Sequence, residues 1–94
     1  MILFSAEALD DLRRLRRFLE RKSPSSAQRA AIAIKNGIDR LNGFPRLGAP
    51  TADPSVRQLV VHFGDSAHVE RYAELQPDER TLVLRIWHGR EDRS

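Results

Sequence analysis

Ninety-four residues, 40% hydrophobic and 31% charged, fit one ordinary globular domain and exclude both a large multidomain protein and a disordered chain. The absence of cysteine removes a disulfide framework, a thiol nucleophile and a cysteine-based zinc site, and no apolar run approaches the roughly 20 residues of a membrane span. Sixteen basic against thirteen acidic side chains leave a net charge of only +3, too modest to mark a nucleic-acid-binding surface by itself.

Ile2, Leu3 and Phe4 form a short apolar run closed by Ser5, which predicts a brief strand leading into a helix N-cap. The start MILFSAEALDD has neither the basic segment nor the cleavage site of a secretory leader, so a cytoplasmic chain is expected. Ala8, Leu12, Leu15 and Leu19 then recur at the helical period, with Leu9 and Phe18 widening the stripe, and residues 5–22 are predicted as a helix. Glu7, Asp10 and Asp11 in its first turns, with Arg21 and Lys22 in its last, complement the helix dipole.

Ser23 and Pro24 restart the chain as a cap and a first helical residue. Ala27, Ala30, Ala31, Ile34, Ile38 and Leu41 make a second stripe whose small members let the first helix come close. Gly37 is worse than alanine in a helix by about 1 kcal/mol, so its presence points to a tight crossing. Gly43 before Phe44 and Pro45 reads as the stop. Residues 46–55 hold Gly48, Pro50 and Pro54 and are predicted as an irregular crossover.

Beyond the crossover the period becomes two. Leu59, Val61 and Phe63 alternate with Gln58, Val60 and His62, and Gly64-Asp65 supplies a turn. Val69, Arg71, Ala73 and Leu75 alternate with His68, Glu70, Tyr72 and Glu74, and residues 76–79 supply a second turn. Residues 81–87 are nearly continuous in apolar character, as an interior strand would be. The expected fold class is α+β in a single domain over residues 1–94. A helix hairpin packs on a small antiparallel sheet, made of a three-strand meander with the short N-terminal strand at an edge.

No phosphate-binding glycine series or serine elbow is present. His62, His68 and His88 lack the spacing of a metal site, so neither metal nor cofactor is expected. His88-Gly89-Arg90 follows the last strand, where side chains either reach a partner or end the strand as solvated charges. Arg57, Arg71 and Arg85 either form a basic surface on the open sheet face or pair with Glu70, Glu74 or another carboxylate. Trp87 is either a core anchor or a recognition surface. Fourteen of the sixteen cations are arginine, for which codon usage in a GC-rich genome is a sufficient cause.

The helix hairpin, LNGFPRLGAP at 41–50, VRQLVVHFG at 56–64 and TLVLRIWHGRED at 81–92 together resemble the ParE branch of the ParE/RelE toxin superfamily. The resemblance spans essentially the whole chain. It implies the toxin of a bacterial type II toxin–antitoxin system, causing growth arrest and held inactive by a small, partly disordered, ParD-like antitoxin. The antitoxin, not this chain alone, would bind operator DNA.

The superfamily divides between gyrase poisons and ribosome-dependent mRNA endonucleases. The nuclease branch uses basic residues on the sheet and an acid–base group near the C-terminus, as cleavage through the 2′-hydroxyl requires. Here residues 56–63 contain no lysine, Val69 stands where the nuclease branch carries an arginine, and residues 91–94 supply no tyrosine. The resemblance therefore implies a binding protein directed at DNA gyrase, with no catalytic residues of its own and with Trp87, His88 and Arg90 at the target. The alternatives are an endoribonuclease using Arg57, Arg71, His88 and Arg90, and a degenerate toxin that retains only antitoxin binding. An antitoxin is expected to lay a helix on Leu12, Leu15, Leu19, Ile34 and Ile38 and a strand on the sheet edge.

Overall fold

Ser5 and Ser23 each leave the chain extended, and their hydroxyls accept hydrogen bonds from Ala8 N–H and Ser26 N–H. These two caps start the helices where the sequence places them. The computed structural model describes residues 1–63, 66–75 and 80–89. In chain order the elements are β1 (Ile2–Phe4), α1 (Ala6–Glu20), α2 (Pro24–Gly43), β2 (Ala49–Pro50), β3 (Val56–Phe63), β4 (Ser66–Leu75) and β5 (Arg80–His88). The expected turns at 64–65 and 76–79 lie outside the described residues, as do Arg90 and residues 91–94.

The strands form one five-stranded sheet in the order β1-β5-β4-β3-β2. The meander β3-β4-β5 is antiparallel, as expected, and β5 is interior. Two features depart from the sequence reading. The sheet is mixed, because β1 runs parallel to β5, with Ile2 opposite Thr81 and Phe4 opposite Val83. Part of the expected irregular crossover is also a strand, in which Ala49 faces Gln58 and Pro50 faces Arg57. Pro50 is tolerated there because β2 is an outer strand and the missing N–H leaves no ladder bond unmade.

Both helices cover the same sheet face, α1 over β5 and α2 over β3. The core divides into two clusters. Ala8, Leu15, Ile34, Ile38, Val83 and Ile86 form one, and Leu41, Leu59, Val61 and Tyr72 form the other. On β4 the set facing the helices is His68, Glu70 and Tyr72, all fully buried, so Val69, Arg71 and Ala73 take the open face. Period-two alternation identifies both sets without deciding which points inward. On β5 an irregularity between Arg71 and Tyr72 makes Leu84 an extra residue, since Tyr72 faces Val83 and Arg71 faces Arg85. Below this bulge Thr81 and Val83 point inward; above it Ile86 and His88 do.

The loop after α2 is pinned by Tyr72. Its hydroxyl donates to Pro45 O at 2.6 Å and accepts from Gly48 N–H at 2.9 Å. Arg57 Nη1 donates to Gly48 O at 2.8 Å, so both backbone groups of this glycine are engaged. A Cβ on Gly48 would lie 2.8 Å from the Tyr72 ring and 2.9 Å from Gln58 O. The spacing of Pro45, Gly48 and Arg57 is thus a loop-anchoring device. Tyr72→Phe removes both hydroxyl bonds and leaves Gly48 N–H without its acceptor, and a loss of about 1–3 kcal/mol is expected in urea denaturation.

Candidate functional site

The helix hairpin leaves two apolar depressions. One of about 570 Å³ lies between α1 and α2, floored by Leu12, Leu15, Leu19 and Ile34 with Arg16 and Glu20 on its rim. Arg16 Nε donates to Glu20 Oε1 at 3.2 Å, a solvated pair contributing little to stability. The other, of about 360 Å³, lies against β1 and is lined by Ile2, Phe4, Leu12, Ile34 and Ile38. The five positions expected to meet an antitoxin therefore line one depression or both. Leu15, Leu19, Ile34 and Ile38 are buried and belong as much to the domain core as to the groove floor.

Among the described residues the opposite sheet face carries no helix. Val60, Val69 and Trp87 are in register across β3, β4 and β5, and Val60 is 45% exposed. The next row is Gln58, Arg71 and Arg85. Arg71 donates to Gln58 Oε1 at 3.1 Å, and its guanidinium carbon lies 4.8 Å from the centre of the Trp87 ring. The acidic residues of β3, β4 and β5 are Glu70 and Glu74, both on the helix side. Among the described residues this open face is therefore apolar and basic.

Arg85 leaves that row and folds over the sheet edge to α1. Its Nε and Nη2 donate to Asp11 at 2.8 and 3.1 Å, and Ile86 N–H donates to Asp11 Oδ2 at 2.9 Å. Arg14 donates to Asp11 and, at 3.3 Å, to Ile86 O. The edge of β5 beyond β1 would otherwise present an unpaired N–H and C=O. Two side chains of α1 satisfy them as a neighbouring strand would. Burial of Asp11 alone would raise its pKa, but the hydrogen bonds from Arg85, Arg14 and Ile86 N–H outweigh it and bring the carboxyl to about 2.

These placements separate the residues that the sequence grouped. Trp87 and His88 lie on opposite faces of β5, and His88 is only 1% exposed, packed between Phe18 and His68. Its ring does not reach the surface that Trp87 lines, so the expected joint Trp87-His88 surface reduces, within the described residues, to Trp87. Arg57, Arg71 and His88 do not converge either. Arg57 holds Gly48 O on the helix side, Arg71 lies over Trp87 on the open side, and His88 is buried. Of the three strand arginines, Arg85 is shown with a carboxylate, and that carboxylate is Asp11 rather than Glu70 or Glu74.

Sequence reasoning misses three residues. Asp11, which the sequence offers only as one of several acids near the start of α1, is buried and joins α1 to β5. Tyr72 belongs to one of two alternating sets that the sequence alone does not rank, and Glu70 reads only as a candidate arginine partner. The sole signal for Glu70 is Gly37, whose absent side chain leaves room for the Glu70 carboxyl rather than for the first helix.

The family model for the ParE toxin of the type II toxin–antitoxin system parDE matches residues 2–93. Toxin RelE1 of Caulobacter vibrioides is 35% identical over 92 residues, covering 98% of this chain and 96% of its own length. Toxin RelE3 of the same organism is 35% identical over 83 residues, covering 88% and 87%. In solved structures, a chain of the chromosomal ParDE toxin–antitoxin system from P. aeruginosa aligns with a TM-score of 0.70 over 90% of both chains. At 19% identity that is a likeness of fold.

Proposed function

Because the chain belongs to the ParE toxin family of type II toxin–antitoxin systems, we propose that it acts by binding DNA gyrase rather than by cutting RNA. The observation that carries this reading is the dispersal of Arg57, Arg71 and His88 over two faces and a buried layer. In-line cleavage of RNA needs a base, a cation and an acid within reach of one phosphate, and these three groups do not share a phosphate-sized site. What the open face offers instead is Trp87 beside Val60 and Val69, an aromatic anchor in an apolar row of the kind that dominates protein interfaces.

A ParD-like antitoxin fits the hairpin by the helix-in-groove mode, with apolar side chains above Leu12, Leu15, Leu19, Ile34 and Ile38. The toxin is expected to co-purify with it as a cytoplasmic complex.

Purified gyrase provides the test. Toxin added to a supercoiling reaction is expected to inhibit it and to accumulate cleaved DNA, and Trp87→Ala is expected to weaken this at least about tenfold, as loss of a central aromatic anchor does. Unchanged supercoiling with no trapped cleavage at any toxin concentration removes the gyrase reading. The RelE names of the two Caulobacter relatives favour the second reading, a ribosome-dependent endoribonuclease. Codon-phased cuts in mRNA mapped by primer extension after induction would establish it. Unaffected growth on expression without an antitoxin would identify a degenerate toxin.

A further inference from the structure

Glu70 is fully buried at the centre of the domain, on the seam between the two core clusters. Its cross-strand neighbours are Leu59 of one cluster and Ile86 of the other. Neither carboxyl oxygen has a hydrogen-bond partner among the described residues. Directly above it is Gly37 of α2, placed so that a Cβ there would lie 2.7 Å from Oε1 and 2.6 Å from a Val61 methyl. The helix backbone rests on this carboxyl with no side chain between them.

The surroundings decide which protonation state the seat accepts. On the same face, His68 and Tyr72 flank Glu70 along β4, and His88 lies diagonally on β5. Leu59 and Val61 come from β3, with Arg57 one pair further and held by Gly48 O. α1 contributes Asp11, already engaged by Arg14, Arg85 and Ile86 N–H. α2 contributes Arg40, an exposed cation whose field pulls the carboxyl pKa down, but less than burial pushes it up. An ionised carboxylate there would be desolvated without a hydrogen bond, whereas the neutral acid fits an apolar seam.

We propose that Glu70 is carried as a neutral acid beneath Gly37 and acts as a proton-controlled clasp: its ionisation lifts α2 from the sheet. The same helix supplies Ile34 and Ile38 to the hairpin depressions, so lifting it reshapes the grooves from below. The clasp is a property of this chain alone and holds whichever target the toxin engages.

Burial raises the Glu70 carboxyl to about 8, against an ordinary value of 4.5 in the open state. The folded state therefore binds the extra proton. The contribution of Glu70 is whole below about pH 4.5 and is lost as the pH rises through about 8.

Two measurements on the full chain test this. The first is a ¹³C NMR titration of the Glu70 side-chain carboxyl, expected to titrate far above the ordinary range; a midpoint between 4 and 5 overturns the proposal. The second is hydrogen exchange of α2 amides in the wild type and in Glu70→Gln. Wild-type protection factors are expected to fall about tenfold per pH unit from roughly pH 5 to 8 and then level off. Glu70→Gln removes that dependence while keeping any contribution from His68 and His88. An equal fall in both proteins, or none in the wild type, overturns the proposal. If Glu70→Gln does not fold, the wild type decides by both measurements together: a raised carboxyl midpoint with α2 exchange falling over the same pH range supports the clasp, and a flat exchange profile overturns it.

Discussion

Asp11→Ala is expected to remove about 2–4 kcal/mol of stability, because the buried Ile86 N–H loses its acceptor and two partly solvated arginines lose theirs. A domain of this size has only about 5–15 kcal/mol in total, so the variant is expected to lose a large share of its stability and to melt at a clearly lower temperature. The size of the effect follows from how much one carboxylate holds. It accepts from Arg85 twice, from Arg14 and from Ile86 N–H, and it is 1% exposed. Removing it orphans a buried backbone donor and leaves two arginines facing each other. Asp11→Asn keeps an acceptor for Ile86 N–H and is expected to lose less. The acid side gives an independent check. The Asp11 pKa is lowered to about 2 from 3.8, so its contribution is present above about pH 4 and is lost as the pH falls through 2. Guanidinium melts at pH 7 and pH 3 are expected to show a smaller gap between wild type and Asp11→Ala at the lower pH.

Gly37→Ala is expected to destabilise by about 1–3 kcal/mol through overpacking, although the same change in an open helix would stabilise by about 1 kcal/mol. The added methyl meets Val61 Cγ2 at 2.6 Å and Glu70 Oε1 at 2.7 Å, and both side chains belong to a buried seam. Gly43 is the internal control. It lies in the same helix with nothing within 4 Å of where a Cβ would stand, and Gly43→Ala is expected to be neutral or mildly stabilising. Pairing Gly37→Ala with Val61→Ala tests the cause, because two substitutions sharing one contact do not add. Thermal melts of these variants beside the wild type read all of this, and a Gly37→Ala protein as stable as the wild type refutes the close crossing.

Both helices are legible in the sequence because their determinants are local. Ser5, Ser23, Pro24 and the three-and-four spacing of Leu12, Leu15, Leu19, Ile34 and Ile38 act within a turn or two of where they stand. The meander is legible for the same reason. The facing of its strands is not. In β4 the outward set contains Val69 and Ala73, while the inward set contains His68 and Glu70, opposite to what hydrophobicity assigns. Leu84 adds a residue within β5, so a parity counted from Thr81 and Val83 would put Trp87 in the core and His88 outside. One bulge reverses both. The parallel pairing of β1 and the two-residue β2 leave no trace in the sequence, since their register is set by distant backbone groups rather than by a local pattern. The candidate site suffers most, because whether Arg57, Arg71 and His88 converge depends entirely on which face each occupies.

The pairing of β1 with β5 also orders events in time. β1 and α1 leave the ribosome well before β5, the strand on which both rest. At about 5–20 residues per second, the first helix waits several seconds before its apolar stripe has a sheet to cover. The nascent chain therefore holds a hairpin and a partial meander without a closed core. Any surface that needs the complete sheet, including the row that ends at Trp87, comes into being only once β5 has been made. During that interval the leucines of α1 have no sheet to cover and stand open to whatever apolar segment is nearby.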